Sequence, residues 1–232
     1  MNNLLEINNI SKRLNGKEIL RGISFNLEKG KVLGIMGPNG QGKTTLLNTI
    51  QGFLKADNGE IIIDGNKLGA LIKSDISFLQ DTNIFNKAMK IKNAINLYDD
   101  FFNDFDREKM DYYLEFMNLD SESRIRDLSK GMMEKFNLSL TLSRKTKLYM
   151  LDEPISGVDP VSREKILDAI LESLSEDSSM IITTHYIGEL ERIFDEVIFL
   201  GDGKIIENGD AEELRAKYQG SIDEIYRKIF AE

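Results

Sequence analysis

Short apolar runs and longer amphipathic stretches alternate along this chain. LLEINNI, ILRGISFNL, KVLGIMG, EIIIDG, ISFLQ, KLYMLDEP, SMIITTH and EVIFLGDG read as β-strands, and several are followed by segments of helical periodicity. That alternation predicts an α/β domain with a partly parallel sheet. ILRGISFNLEKGK, EIIIDGNKL and IFLGDGKIIENGD differ in reading as hairpin or meander pieces with Asp-Gly turns, so an antiparallel β part is expected beside the parallel core.

The β pattern stops from Lys87 to about Glu122. Ile91, Ala94, Ile95, Tyr98, Phe101, Phe102 and Phe105 recur at helical spacing, and Met110, Tyr113, Leu114 and Met117 continue it. An inserted helical subdomain is expected, at about residues 86–142 of one domain that spans 1–232. Tyr98 to Phe116 is rich in Phe and Tyr, which either build a small aromatic core or, where exposed, mark a docking surface. Two helix starts with capping chemistry close the chain, DAEE from Asp210 and SIDE from Ser221, with Gly220 as the breaker between them.

At 232 residues the chain can bury a sizeable core. Its 39 acidic and 30 basic side chains give a net charge of −9, which disfavours non-specific binding to nucleic acid or anionic lipid. There is no cysteine and only one histidine, so disulfides, thiolate catalysis and zinc-thiolate sites are excluded. MNNLLEINNI lacks the pattern of a signal peptide, and the apolar stretches fall far short of the ~18 residues a membrane helix needs. Any membrane role is therefore expected to run through a partner.

GPNGQGKTT follows the apolar strand KVLGIM and precedes the amphipathic run LLNTIQGF. In that strand-loop-helix context the GxxxxGK[ST] pattern is a phosphate loop. Gly37, Gly40 and Gly42, with Pro38, Asn39 and Gln41 between them, let backbone N–H groups turn inward around an anion, and the following helix adds its N-terminal dipole. Lys43 supplies a charge for the β and γ phosphates, the Thr44 hydroxyl a ligand for Mg²⁺, and Thr45 completes the motif.

LYMLDEP is an apolar strand ending in two adjacent carboxylates. Beside a phosphate loop, Asp152 is placed to hold Mg²⁺ and Glu153 to act as base toward an attacking water. The alternative for this pair is an exposed acidic turn before Pro154. His185, at the end of SMIITTH, has two readings of its own: a hydrogen-bonded core imidazole or a catalytic group.

In this order the motifs resemble those of the ATP-binding-cassette (ABC) ATPases across almost the whole chain. GPNGQGKTT looks like the Walker A loop, Gln80 like the Q-loop residue, and LSKGM at 128–132 like the signature. LYMLDEP looks like Walker B, SGVD at 156–159 like the D-loop, and His185 like the switch histidine. The resemblance implies a P-loop NTPase core with a mixed, largely parallel sheet, an antiparallel β subdomain and an inserted α-helical subdomain.

It also implies ATP and Mg²⁺ as ligands and a head-to-tail pair of such subunits. ATP held by one Walker A loop then meets Ser129 and Gly131 of the other chain's signature, and Asp159 crosses the interface. Glu153 would be the base, His185 would hold the γ-phosphate and the water, and Gln80 would contact both Mg²⁺ and that water. Two positions depart from the family pattern. LSKGM stands for LSGGQ but keeps the serine and a helix N-terminus, and Leu14 stands where an aromatic ring usually stacks on adenine.

The expected function is the ATP-hydrolysing subunit of a transporter with separate transmembrane permease subunits, on the cytoplasmic face of the membrane, of an exporter-like branch for peptides, drugs or lipids. Two other readings are a soluble ABC ATPase acting on nucleic acid or ribosomes, which the acidic charge and single cassette disfavour, and a binding-only subunit of a heterodimer.

Overall fold

The computed structural model describes residues 3–69, 72–80 and 85–231. The first part of the chain runs through β1 (Asn3–Leu14), β2 (Lys17–Glu28), β3 (Val32–Met36), α1 (Lys43–Ile50), β4 (Asn58–Ile63), β5 (Asn66–Lys67) and β6 (Ile76–Leu79). Three helices follow: α2 (Ile91–Phe101), α3 (Arg107–Phe116) and α4 (Lys130–Leu142). The remainder comprises β7 (Leu148–Asp152), α5 (Pro160–Ser173), β8 (Ser179–Thr184), α6 (Ile187–Leu190), β9 (Glu196–Gly201), β10 (Lys204–Asp210), α7 (Ala211–Tyr218) and α8 (Ile222–Phe230).

Two sheets result. An antiparallel sheet of order β2-β1-β4-β5 is the expected β part. Its turns at Asn15-Gly16 and Asp64-Gly65 put both residues in the left-handed region, as does Asp202-Gly203 between β9 and β10; such turns match the twist of a hairpin. The second sheet has order β10-β9-β3-β8-β7-β6, parallel from β9 to β6 with β10 antiparallel at the edge.

Alternation along the buried strands sends side chains to two cores. Val32, Met36, Tyr149 and Leu151 join the core beneath the helices, whereas Leu33, Ile35, Leu148 and Met150 join the one shared with α1 and the antiparallel sheet. Because β3, β8 and β7 are neighbours in register, Met36 aligns with Thr184 and Asp152 with Thr183. Three loops therefore leave the sheet at one edge, which is where ligands bind in open α/β folds.

One local expectation is corrected. The periodic run through Phe105 is not one helix, since α2 ends at Phe101 and Phe102 is extended. Buried Arg144 holds that break: its guanidinium lies 4.0 Å from the Phe102 ring centroid and pairs with Asp104 at 2.8 Å, and it donates to Ile76 O and Ser74 O. Asp106 then caps α3 by accepting the Lys109 N–H. At the end of the chain Gly220 separates α7 from α8 as expected, with Gln219 before it in the left-handed capping position. Asp210 and Ser221 cap α7 and α8 as expected, the latter in a full capping box with Glu224. Most of the aromatic run is core, around Tyr98, Phe105 and Tyr113, while Phe101 and Tyr112 stand exposed.

Candidate functional site

Strand β3 delivers the chain to Gly37, where a Cβ would sit 2.1 Å from Leu200 O, so any larger residue would push the loop off β9. The loop then enters α1 at Lys43. The Lys43 ammonium donates to Gly37 O at 2.6 Å and to Pro38 O at 3.3 Å. Burial pushes its pKa below the ordinary lysine value, and the charges of Glu153 and Asp152 pull in the opposite direction. Thr44 Oγ1 donates to Asp152 Oδ2 at 2.8 Å, joining α1 to the end of β7. The Gln41 side chain is engaged outside the phosphate loop, accepting the Asp202 N–H in the β9–β10 turn.

Asp152 is buried, and its other carboxylate oxygen accepts from the Thr183 hydroxyl on the intervening strand β8. Glu153 has a left-handed backbone, φ 53°, uncommon for a residue with a Cβ and found where surrounding contacts enforce it. Those contacts are its N–H donating to Thr183 O at 3.1 Å and Thr183 Oγ1 at 3.2 Å. The turn brings Glu153 to His185: Nδ1 lies 2.7 Å from Glu153 Oε2, and the His185 N–H donates to the same oxygen at 3.2 Å. His185 is 45% exposed at its side chain, which rules out the buried core imidazole.

Three cavities share these groups. One of ≈ 470 Å³ is lined by Asn39, Thr44, Gln80, Asp152, Glu153 and His185. A second, ≈ 270 Å³, carries Leu14, Ile19, Gly40, Gly42, Lys43 and Thr45 and shares Thr44 and the acid pair with the first. Polar groups thus crowd one end, and aliphatic Leu14 and Ile19 the other. The third, ≈ 440 Å³, places Ser129 beside Gln80, Asp152 and Glu153, whereas Gly131 and Asp159 line none of the three. Ser129 and Asp159 also cap α4 and α5, accepting from Met132 N and Ser162 N, and the hydrogen bonds from Ser162 lower the Asp159 pKa.

The Thr44 hydroxyl and Asp152 carboxylate form a sparse, hard oxygen donor set. Among the described residues no three His, Asp or Glu side chains gather around one point. This is the donor set expected for Mg²⁺, which keeps waters and takes its remaining ligands from phosphates. Sequence reasoning missed Thr183, Ile19 and Tyr186. The alternation of SMIITTH could have flagged Thr183, because it stands opposite Asp152 in the ladder.

Residues 20–156 match the family described as ABC transporter. The ABC transporter ATP-binding protein YtrB of Bacillus subtilis is 31% identical over 93% of this chain and 75% of its own length. The Nod factor export ATP-binding protein I of Rhizobium etli is 29% identical over 96% of this chain and 73% of its own. Among solved structures, an ATP-binding subunit of an ABC transporter superposes with a TM-score of 0.88 at 22% identity, covering 97% of this chain and 99% of that one. A nucleotide-free ATP-binding cassette from an ABC transporter does so at 0.81 and 26%, with 99% of each chain covered. The chain belongs to the ABC transporter family of ATP-binding subunits, and it is an ATPase.

Proposed function

We propose that this subunit pairs with a second ABC ATPase around ATP and Mg²⁺ and drives a separate transmembrane permease in export. The observation that carries the reading is the meeting, at one sheet edge, of Lys43 and Thr44 from the phosphate loop with the acid pair after β7 and His185 after β8. Gly131 and Asp159 lie outside that meeting and Ser129 opens on a separate cavity beside the acid pair, which supports their serving the nucleotide held by the other subunit.

Phosphate oxygens would take over the N–H groups of the loop and the Lys43 ammonium, which already sits among carbonyl acceptors. Thr44 and Asp152, with Gln80 beside them, would hold Mg²⁺, which when bound neutralises charge on the β and γ oxygens. Glu153 receives the proton of the attacking water, and His185, in contact with that carboxylate, fixes its direction and steadies the γ-phosphate. Among the described residues no helix is long and apolar enough to cross a membrane. Exposed Leu97 and Phe101, one turn apart on α2, give the inserted helices an apolar face for the permease. Relatives named for Nod factor export and lipopolysaccharide export support the outward direction.

Steady-state hydrolysis by Glu153→Gln tests the reading. Turnover should fall at least ~100-fold while ATP binding persists. Unchanged turnover would remove Glu153 as the base.

A further inference from the structure

The turn Ser156-Gly157-Val158-Asp159 leaves the acid pair and enters α5, and side chains hold it from two sides. From the first turns of α4, the Glu134 carboxylate accepts the Gly157 N–H at 2.9 Å. The approach is so close that a Cβ on Gly157 would come within 2.1 Å of Glu134 Oε1. Gly131 of the same helix faces the other end of that residue, since a Cβ there would meet Gly157 O at 3.3 Å.

From the histidine side, the Tyr186 hydroxyl donates to Ser156 O at 3.4 Å and Arg163 Nε to Val158 O at 3.0 Å. Arg163 also lies over the Tyr186 ring at 4.5 Å, and that ring meets the His185 ring with centroids 4.1 Å apart. An unbroken set of contacts therefore runs from the serine-capped tip of α4 through Gly157 to His185 and Glu153.

Two of Glu134's contacts differ in weight. Lys130 lies 3.7 Å away and is 71% exposed, so that ion pair contributes little. The hydrogen bond to Gly157 is charge-assisted and made by a carboxylate only 18% exposed, the kind whose loss is felt. We propose that Glu134 is a positioning residue that fastens the 156–159 turn to the signature helix, so that engagement of Ser129 and Gly131 by the opposite nucleotide sets the geometry of Glu153 and His185 in the same chain. This rests on the two-subunit reading above.

The full-length chain with Glu134 replaced by Ala, Gln or Asp tests it. Gln keeps an oxygen at the right reach for the Gly157 N–H, while Asp keeps the charge but loses the reach. Gln should therefore retain wild-type kcat within about twofold, while Asp and Ala lower kcat about tenfold with the KM for ATP unchanged. Amide exchange at Gly157 should accelerate in Asp and Ala but not in Gln, a readout that needs no turnover.

Asp behaving as wild type while Gln fails would show that charge matters rather than the hydrogen bond, and would overturn the proposal. So would wild-type kcat and Gly157 exchange in Ala. If Ala does not fold, the Asp and Gln pair decides. Changed Gly157 exchange without changed kcat would place Glu134 on the turn but remove its catalytic consequence, overturning the proposal. Failure of Glu153→Gln to slow hydrolysis would instead sink the reading beneath it.

Discussion

Leu14 is where an expected stacking ring gives way to an aliphatic contact, shared with Ile19 across the smaller cavity. A tyrosine there would add a π face worth ~1 kcal/mol. Leu14→Tyr should therefore tighten ATP binding severalfold in a titration, and an unchanged Kd would place the base elsewhere. His185→Ala should lower kcat by about 100-fold or more and leave ATP affinity within a few fold; equal loss of both would make the residue structural. The residue types were legible because phosphate chemistry demands a glycine loop, a lysine and carboxylates at fixed spacing. The left-handed backbone of Glu153 and its double contact with Thr183 were not, because they come from a strand 30 residues away.

Elements owe their ends to local chemistry that the chain states openly, as the Asp-Gly turns and the Ser221 capping box show. Where tertiary contacts override the pattern, as Arg144 does after Phe101, periodicity alone overruns the helix. A second tertiary tie joins the antiparallel sheet to the core: Asp64, in the β4–β5 turn, lies 2.8 Å from Lys29 and 2.9 Å from Lys147. Their hydrogen bonds hold its pKa at about 2, below the ordinary carboxylate value. A depressed carboxylate pKa stabilises the fold above the unfolded value, near 4, and that contribution is lost as pH falls through about 2. Asp64→Asn should lower stability near neutral pH by roughly 1 kcal/mol, since these groups are partly exposed. The difference from wild type should shrink in urea titrations toward pH 2, and a constant gap would refute the link. Ser221→Ala should cost about 1 kcal/mol by removing the cap of α8.

For the whole molecule, motif order was the strongest signal, since it supplied a family and through it the arrangement of sheets and helices. The contacts within one chain could not be read that way, because nothing in SGVD alone says that Glu134 reaches Gly157. Solution scattering by Glu153→Gln with ATP and Mg²⁺ should report a particle of twice the monomer mass, and a persistent monomer would remove the head-to-tail pair.

The adjacency of β3, β8 and β7 carries one more consequence. Their spacing of ~4.8 Å is fixed by backbone ladders, so the separation between the phosphate loop and the carboxylates is inherited from sheet pitch rather than from side-chain fit. Heat-sensitive alleles that hollow out the aliphatic layers, such as Ile181→Val, should lose melting temperature yet hydrolyse normally in the cold. Thermal tolerance and chemical competence can then drift independently in this protein.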